Sequence, residues 1–175
     1  MSNSLPLVSI GIPTYNRRDL ACRAVRSVLD QSYGNLEIIV SDNASTDGTA
    51  DAVEWIADSR NKLLKQPSNI GMIGNFNACL IAASGEYFLM LSDDDLLERD
   101  ALLNLSAPFR DCLPGIDGRN IGVSWSPAII ITPNNEVRWT TMPAASLEPS
   151  IDLVCGLFNG TRGPRFCSIL VRSAD

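Results

Sequence analysis

With 175 residues, 45% of them hydrophobic and 19% charged, the chain can bury a substantial single-domain core and is too apolar for disorder. A formal charge of −6, without any basic block, argues against a general nucleic-acid binder. The complete absence of histidine excludes Ser-His-Asp and Cys-His catalysis within the chain and every histidine-ligated metal site, so a bound metal must take oxygen ligands, as Mg²⁺, Mn²⁺ or Ca²⁺ do.

Leu7 to Ile12 reads as a first strand ended by Pro13, which cannot donate to a central ladder. A helix from Arg18 to Gln31 follows, with Leu20, Ala21, Ala24, Val25, Val28 and Leu29 as its apolar stripe, and Leu36 to Val40 is a second strand. Strand, helix and strand make a βαβ unit with a right-handed crossover. The polar run from Ser41 to Thr49 ends that strand and caps a helix reaching Ser59, with Val53, Ile56 and Ala57 inward. Lys62 to Lys65 reads as an edge strand, and the turn at 67–71 leads into a helix to Ser84. Ile73, Phe76, Leu80 and Ala83 share one face of that helix, and Gly85 fits its C-cap.

Tyr87 to Ser92 then reads as a buried strand followed directly by Asp93, Asp94 and Asp95. In open α/β sheets ligands bind beyond the carboxyl ends of the strands, where this triplet falls. Two carboxylates about 4 Å apart repel by roughly 4 kcal/mol at an effective dielectric near 20, a cost that a divalent cation reverses. The structural alternative is that Asp95 caps the next helix, Glu98 to Phe109, with Glu98 completing a capping box. Beyond it the sequence suggests a loop at 114–118, an extended segment from Ile121 to Ile131 with Pro127 at a bulge or edge, and a turn at Asn134 and Asn135 leading to Val137–Trp139. A helix from Pro149 to Asn159, a loop at 160–165 and a last strand from Phe166 to Val171 complete the reading.

No window approaches a membrane span, and the first residues lack the basic start and apolar core of a signal peptide, so a cytoplasmic protein is expected, with peripheral membrane association as an extension. Cys22, Cys79, Cys112, Cys155 and Cys167 form no Cys-x-x-Cys pair and read as reduced, mostly buried thiols. No Gly-x-Gly-x-x-Gly follows the first strand, which disfavours a dinucleotide site, and no Walker-type phosphate loop is present. What converges at the carboxyl edge is an aromatic ring at Tyr15, acids at Asp42 and Asp47, and the triplet.

Four motifs in order, residues 8–17, residues 40–49, Asn69-Ile70-Gly71 with Asn75, and Gly85-Glu86-Tyr87 before the triplet, resemble those of family 2 glycosyltransferases. The resemblance covers 7–103 well and weakens from Ile121 onward. It implies the GT-A fold, a Rossmann-like three-layer α/β/α domain with a mainly parallel central sheet. Residues 1–175 would form a single domain, with 7–110 as the half that binds nucleotide sugar and metal and 111–175 as the start of an acceptor-side half. By the same resemblance Pro13, Thr14 and Tyr15 surround the nucleotide base, with Tyr15 stacking on it. Asp42 accepts the base imide N–H, and Asn69 and Gly71 close over the base. The structural alternatives are a packing ring for Tyr15, an Asx turn for Asp42 and a plain turn at Asn69 and Gly71. For Asp47 an acid that shapes the helix start is the favoured reading.

The triplet resembles the family's metal motif, with Mn²⁺ or Mg²⁺ as cofactor. One register makes Asp94 the leading ligand between Asp93 and Asp95, and the other uses Asp93 and Asp95; both stay open here, and Asp93 also counts as a substrate contact. The implied reaction is a single inverting displacement from a nucleoside-diphosphate sugar, UDP-sugar first, to a glycan or lipid-linked acceptor in cell-surface polysaccharide synthesis. The family's general base follows the strand that Phe166–Val171 resembles and the chain ends before it, so the expectation is a donor-binding portion that transfers sugar poorly or not at all; Glu148 and Asp152 are fallback bases that precede the expected position. Rival readings are a non-catalytic nucleotide-sugar-binding module, a Mg²⁺-dependent phosphatase with an aspartate nucleophile, and a scaffold that binds no nucleotide.

Overall fold

The structure, a computed structural model, describes residues 5–110, 123–125, 129–131, 137–140 and 169–172. In chain order the elements are β1 (Val8–Thr14), α1 (Arg18–Leu29), β2 (Leu36–Asp42), α2 (Thr49–Glu54), β3 (Asn61–Lys65), α3 (Gly71–Ala82), β4 (Tyr87–Met90), α4 (Ala101–Arg110), β5 (Val123–Trp125), β6 (Ile129–Ile131), β7 (Val137–Thr140) and β8 (Ile169–Arg172). One sheet runs β3-β2-β1-β4-β8-β5; β6 and β7 pair separately. The first four of those strands are parallel, whereas β8 is antiparallel to both β4 and β5. The expected α/β sheet is thus present, with antiparallel strands appended beyond β4.

Strand alternation sorts the side chains onto two faces. Val8, Ile10 and Ile12 of β1, Leu36, Ile38 and Val40 of β2, and Tyr87, Leu89 and Leu91 pack against Ala21, Ala24, Val25 and Val28 of α1, Val53 of α2, and Leu102, Leu105 and Phe109 of α4. The stripe expected for α1 is the buried one, with Leu20 and Leu29 at its half-buried edge. The opposite face is thinner: Ile39 and Phe88 meet Cys79 of α3. No described helix is long and apolar enough to cross a membrane.

Several local expectations are corrected. Pro13 lies inside β1 instead of ending it, opposite Ser41 of β2. Leu91 N–H donates to Gly11 O, so by alternation the missing N–H of Pro13 faces the β4 side, where the ladder has already ended at Gly11–Met90. Helix α2 stops at Glu54, not Ser59, leaving Ala57 exposed; Asp58 accepts from the Arg60 backbone and guanidinium and turns the chain toward β3.

On α3 the expected apolar face is largely outside: Ile73 is 73% and Leu80 49% exposed, while Asn75 and Cys79 are buried. The sheet side needs small or polar groups there, because a Cβ on Gly11 would already lie 2.8 Å from Cys79 Cβ. Gly85 is not a left-handed C-cap, since Ala83 ends α3 in extended backbone. It is glycine because a Cβ would sit 2.7 Å from both Leu7 O and Ser9 Oγ.

Asp95 caps nothing: residues 95–100 are non-helical and α4 starts at Ala101. Its first turn is instead held by buried Gln31, whose Oε1 accepts from Leu102 N–H and whose Nε2 donates to Glu98 O. The long segment expected from Ile121 divides into β5 and β6, and β6 with β7 forms the expected antiparallel pair. Its turn, Pro127, the loops at 114–118 and 160–165, the helix at 149–159, Glu148, Asp152, Cys112, Cys155 and Cys167 lie outside the described residues.

Three outcomes follow from this packing. Gly85→Ala should cost about 1–3 kcal/mol in urea unfolding through overpacking against backbone; a loss under about 0.5 kcal/mol would contradict the close approach. Burial pushes the Cys79 thiol up to about 12, so iodoacetamide at pH 8 should leave it unmodified in the native protein and alkylate it in denaturant, as read by peptide mass spectrometry. Burial raises the Glu37 pKa, but hydrogen bonds from Ser9 and Ser84 outweigh it and hold the carboxyl below its usual range. That stabilisation is present above the unfolded-state pKa and is lost as pH falls through the folded one, so Glu37→Gln should flatten the acid limb of the stability–pH curve.

Candidate functional site

The site lies where the order of the parallel strands reverses. β1 has β2 on one side and β4 on the other, and a crevice opens at the carboxyl ends of such strands. β2 accompanies β1 to the Thr14–Asp42 pair, whereas the ladder to β4 ends three residues earlier, at Gly11–Met90.

Asp93 closes this gap from the β4 side. Thr14 Oγ1 donates to its Oδ2 at 2.8 Å and Arg17 Nη1 donates to its Oδ1 at 3.0 Å. The same nitrogen donates to Asp94 Oδ2 at 3.0 Å. Asp93 is buried and Asp94 exposed. Burial raises the Asp93 pKa against the opposing pull of Thr14 and Arg17, while the carboxylates, Asp93 foremost, push the Arg17 pKa up. Ser92 O accepts from Asp95 N–H at 3.0 Å, which folds the triplet into a turn.

Among the described residues no three acid or thiol side chains close on one point to cage a metal. Two carboxylates do converge on a single cationic nitrogen, the guanidinium standing where a cation can bridge them. Mg²⁺ and Mn²⁺ sites need no more from a protein when substrate phosphates complete them, so the donor set fits such an ion.

Across the crevice, Asp42 is 3% exposed. Its Oδ2 accepts from Ser45 N–H at 3.2 Å, the turn contact of the structural alternative, but its Oδ1 is buried and has no hydrogen-bond partner among the described residues. A buried acceptor left open costs about 1–3 kcal/mol. Asp47 is consumed by the loop: Oδ2 accepts from Arg18 N–H and Oδ1 from Thr49 N–H and Oγ1–H, and the Thr49 hydroxyl chiefly lowers its pKa. It shapes the helix start, as expected. Tyr15, 45% exposed, follows Thr14 directly. Asn16, with φ 52°, accepts from Thr46 N–H and donates its own N–H to Ser45 Oγ, lacing the Tyr15 loop to the Asp42 loop.

The 67–71 turn is anchored beside β2. Asn43 Nδ2 donates to Asn69 Oδ1 at 3.0 Å, and Asn43 Oδ1 accepts from Ile70 N–H at 2.8 Å. Gly71 has φ +76°, which explains glycine there, and its N–H also reaches Asn69 Oδ1. Pro13, Thr14, Asp42 and Asp93 are thus brought to one edge, with the Asn69–Gly71 turn braced onto it through Asn43.

Reading the sequence by motif assigns no role to the residues that brace this edge. Buried Asn75 donates to Ser41 O at 2.9 Å and Thr14 O at 3.3 Å, and accepts from Ser41 Oγ–H at 2.6 Å. Gln66 Nε2 donates to Ser41 Oγ. Asn75 and Arg17 stand within the motifs that carry the family resemblance, but nothing in the motifs says what either side chain holds.

Comparison with known proteins places this geometry. The family model described as "Glycosyl transferase family 2" matches residues 9–162. A GalNAc(5)-diNAcBac-PP-undecaprenol beta-1,3-glucosyltransferase of Campylobacter jejuni is 38% identical over 104 residues, 58% of this chain and 34% of its own. The Escherichia coli UDP-Glc:alpha-D-GlcNAc-diphosphoundecaprenol beta-1,3-glucosyltransferase WfaP is 42% identical over 91 residues, 52% of this chain and 36% of its own. The chain therefore spans little more than a third of the length of these relatives. Among solved structures, the mannosyltransferase PcManGT of Pyrobaculum calidifontis, in complex with GDP-Man and Mn²⁺, superposes with TM-score 0.60 at 28% identity, covering 74% of this chain and 37% of that one. S. aureus TarS with UDP-GlcNAc gives TM-score 0.56 at 27% identity, covering 59% and 31%. The strand order, the braced carboxyl edge and these matches agree: the chain belongs to glycosyl transferase family 2 and has the GT-A fold.

Proposed function

We propose that the chain binds a nucleoside-diphosphate sugar, UDP-sugar first, and that residues 7–110 form the donor half of a metal-dependent, inverting sugar transfer to an acceptor hydroxyl. The observation that carries this reading is Asp42 Oδ1, a carboxylate oxygen buried beside the crevice with no donor among the described residues. The imide N–H of a pyrimidine base is a donor of the required kind, and the exposed Tyr15 ring offers a stacking face next to it. Asn69 and Gly71 line the turn anchored through Asn43, on the Asp42 side.

Toward β4, the Asp93–Asp95 turn needs a cation before it can tolerate a diphosphate. Asp93 and Asp94 would hold Mn²⁺ or Mg²⁺, with Asp95 beside them, and the ion would supply neutralisation of the leaving nucleoside diphosphate when bound. Thr14 holds Asp93 in place for this, and Asn75 fixes the Thr14 and Ser41 carbonyls that set the spacing of the two walls. By the family resemblance a carboxylate general base takes the acceptor proton, and no described residue is assigned that role.

The GDP-Man with Mn²⁺ bound by PcManGT and the UDP-GlcNAc bound by TarS support a nucleotide-sugar donor and a divalent ion. The diphosphoundecaprenol-linked substrates named for two relatives support a lipid-linked glycan acceptor in cell-surface polysaccharide synthesis.

Calorimetric titration of UDP, GDP and dTDP, each with and without Mn²⁺, tests the reading. UDP should bind most tightly and more tightly with Mn²⁺. Asp94→Ala should abolish the Mn²⁺-dependent gain. Asp42→Ala should weaken binding about tenfold whether or not metal is present, the worth of one charge-assisted hydrogen bond. Absence of binding by all three nucleotides, or indifference to Asp42→Ala, would overturn it.

A further inference from the structure

Arg17 occupies the oxygens that the proposed metal needs. Its Nη1 lies 3.0 Å from Asp93 Oδ1 and 3.0 Å from Asp94 Oδ2. The guanidinium is about half exposed, at 49%, as is the Asp94 carboxylate, at 53%, so this contact can open without unpacking the core. Asp93 is fixed from behind by Thr14, and the turn by the Asp95 N–H to Ser92 O bond, so the acids stay converged if Arg17 swings away. Arginine keeps its proton at any working pH, so it can leave only by moving.

We infer that Arg17 is a guard cation: it neutralises the Asp93–Asp94 pair while metal and donor are absent and must vacate both oxygens before a divalent ion can bridge them. This rests on the metal-dependent donor reading above. Arg17 is then a positioning residue that sets metal affinity through the carboxylates. The fraction of molecules with Arg17 swung out multiplies the intrinsic affinity, as for any ligand that binds a minor conformer. Removing the side chain removes both the competitor and a positive charge beside the incoming ion, and each change favours the metal. A merely structural brace predicts the opposite sign, because losing it would loosen the turn and weaken binding.

The test is Mn²⁺ alone titrated into the full chain at low salt, with free Mn²⁺ read by electron paramagnetic resonance. It uses wild type, Arg17→Met, Arg17→Lys and Asp94→Asn, with folding checked by circular dichroism and thermal melting. Arg17→Met should bind Mn²⁺ about tenfold more tightly than wild type. Arg17→Lys, which keeps the charge on a compact head but loses the planar fork, should fall between them and carries the test should Arg17→Met melt early. Asp94→Asn should bind more weakly than wild type.

Equal or weaker binding by folded Arg17→Met or Arg17→Lys, with Asp94→Asn still impaired, overturns the guard role and leaves the metal reading standing. Mn²⁺ binding by none of the four proteins, with or without UDP, overturns the metal reading and the guard role with it.

Discussion

The hydrogen bond from Thr14 to Asp93 joins two strand ends that the sheet itself leaves apart. β1 outruns the β4 ladder by three residues, so its last turn toward the crevice has β2 as a neighbour on one side and no ladder on the other. Pro13 is tolerated there because nothing asks for its N–H. Thr14 then spends its side chain, not its backbone, on the β4 side, while its carbonyl serves Asn43 and Asn75. The crevice is therefore a consequence of unequal strand length, and its two walls are held in register by side chains.

Those walls carry unlike electrostatics. On the β2 side Asp42 keeps one oxygen hydrogen-bonded to Ser45 and one bare. On the β4 side the acids crowd together. Desolvation prevails at Asp93, raising its pKa even with two donors in place, so the fold accepts a cost at that carboxylate. A buried charge left without a partner is costly in any fold. Arg17 limits that cost before any ligand arrives, and the same loop carries Tyr15. A motif that reads as a base-binding loop thus also supplies the local countercharge for the far wall.

Much of this was legible in the sequence, where hydrophobic spacing and local chemistry coincide. The α1 stripe from Ala21 to Val28 has charged residues between its members, so the buried face declares itself. Asp47 announces a helix start because Thr49 stands two residues on. Helix α3 defeats the same method. From Pro67 to Gly85 there is no charged residue, so apolar side chains on the outer face look like those of a core. What faces the sheet is chosen for smallness and hydrogen bonding: Cys79 against Gly11, and Asn75 against two strand carbonyls. Gly85 misleads for a related reason. Its position after a helix suggests a cap, whereas the constraint is contact with Leu7 and Ser9, residues 76 or more positions away in the chain. Long-range close approach leaves no local trace.

The acidic triplet is the case where sequence alone left two registers, and its three members differ in their surroundings. Asp93 is buried, and each of its oxygens accepts one hydrogen bond, from Thr14 and from Arg17. Asp94 is exposed and has given one oxygen to Arg17, and Asp95 accepts no hydrogen bond among the described residues. Arg17 ties the buried acid to the exposed one, and Thr14 ties the buried acid to β1. Ser92, which takes the first position of the usual Asp-x-Asp-Asp pattern, lends its carbonyl to the turn and nothing else that the structure records. Three consecutive aspartates thus differ in burial and in partners, and those differences come from the strand they follow and not from their order in the chain.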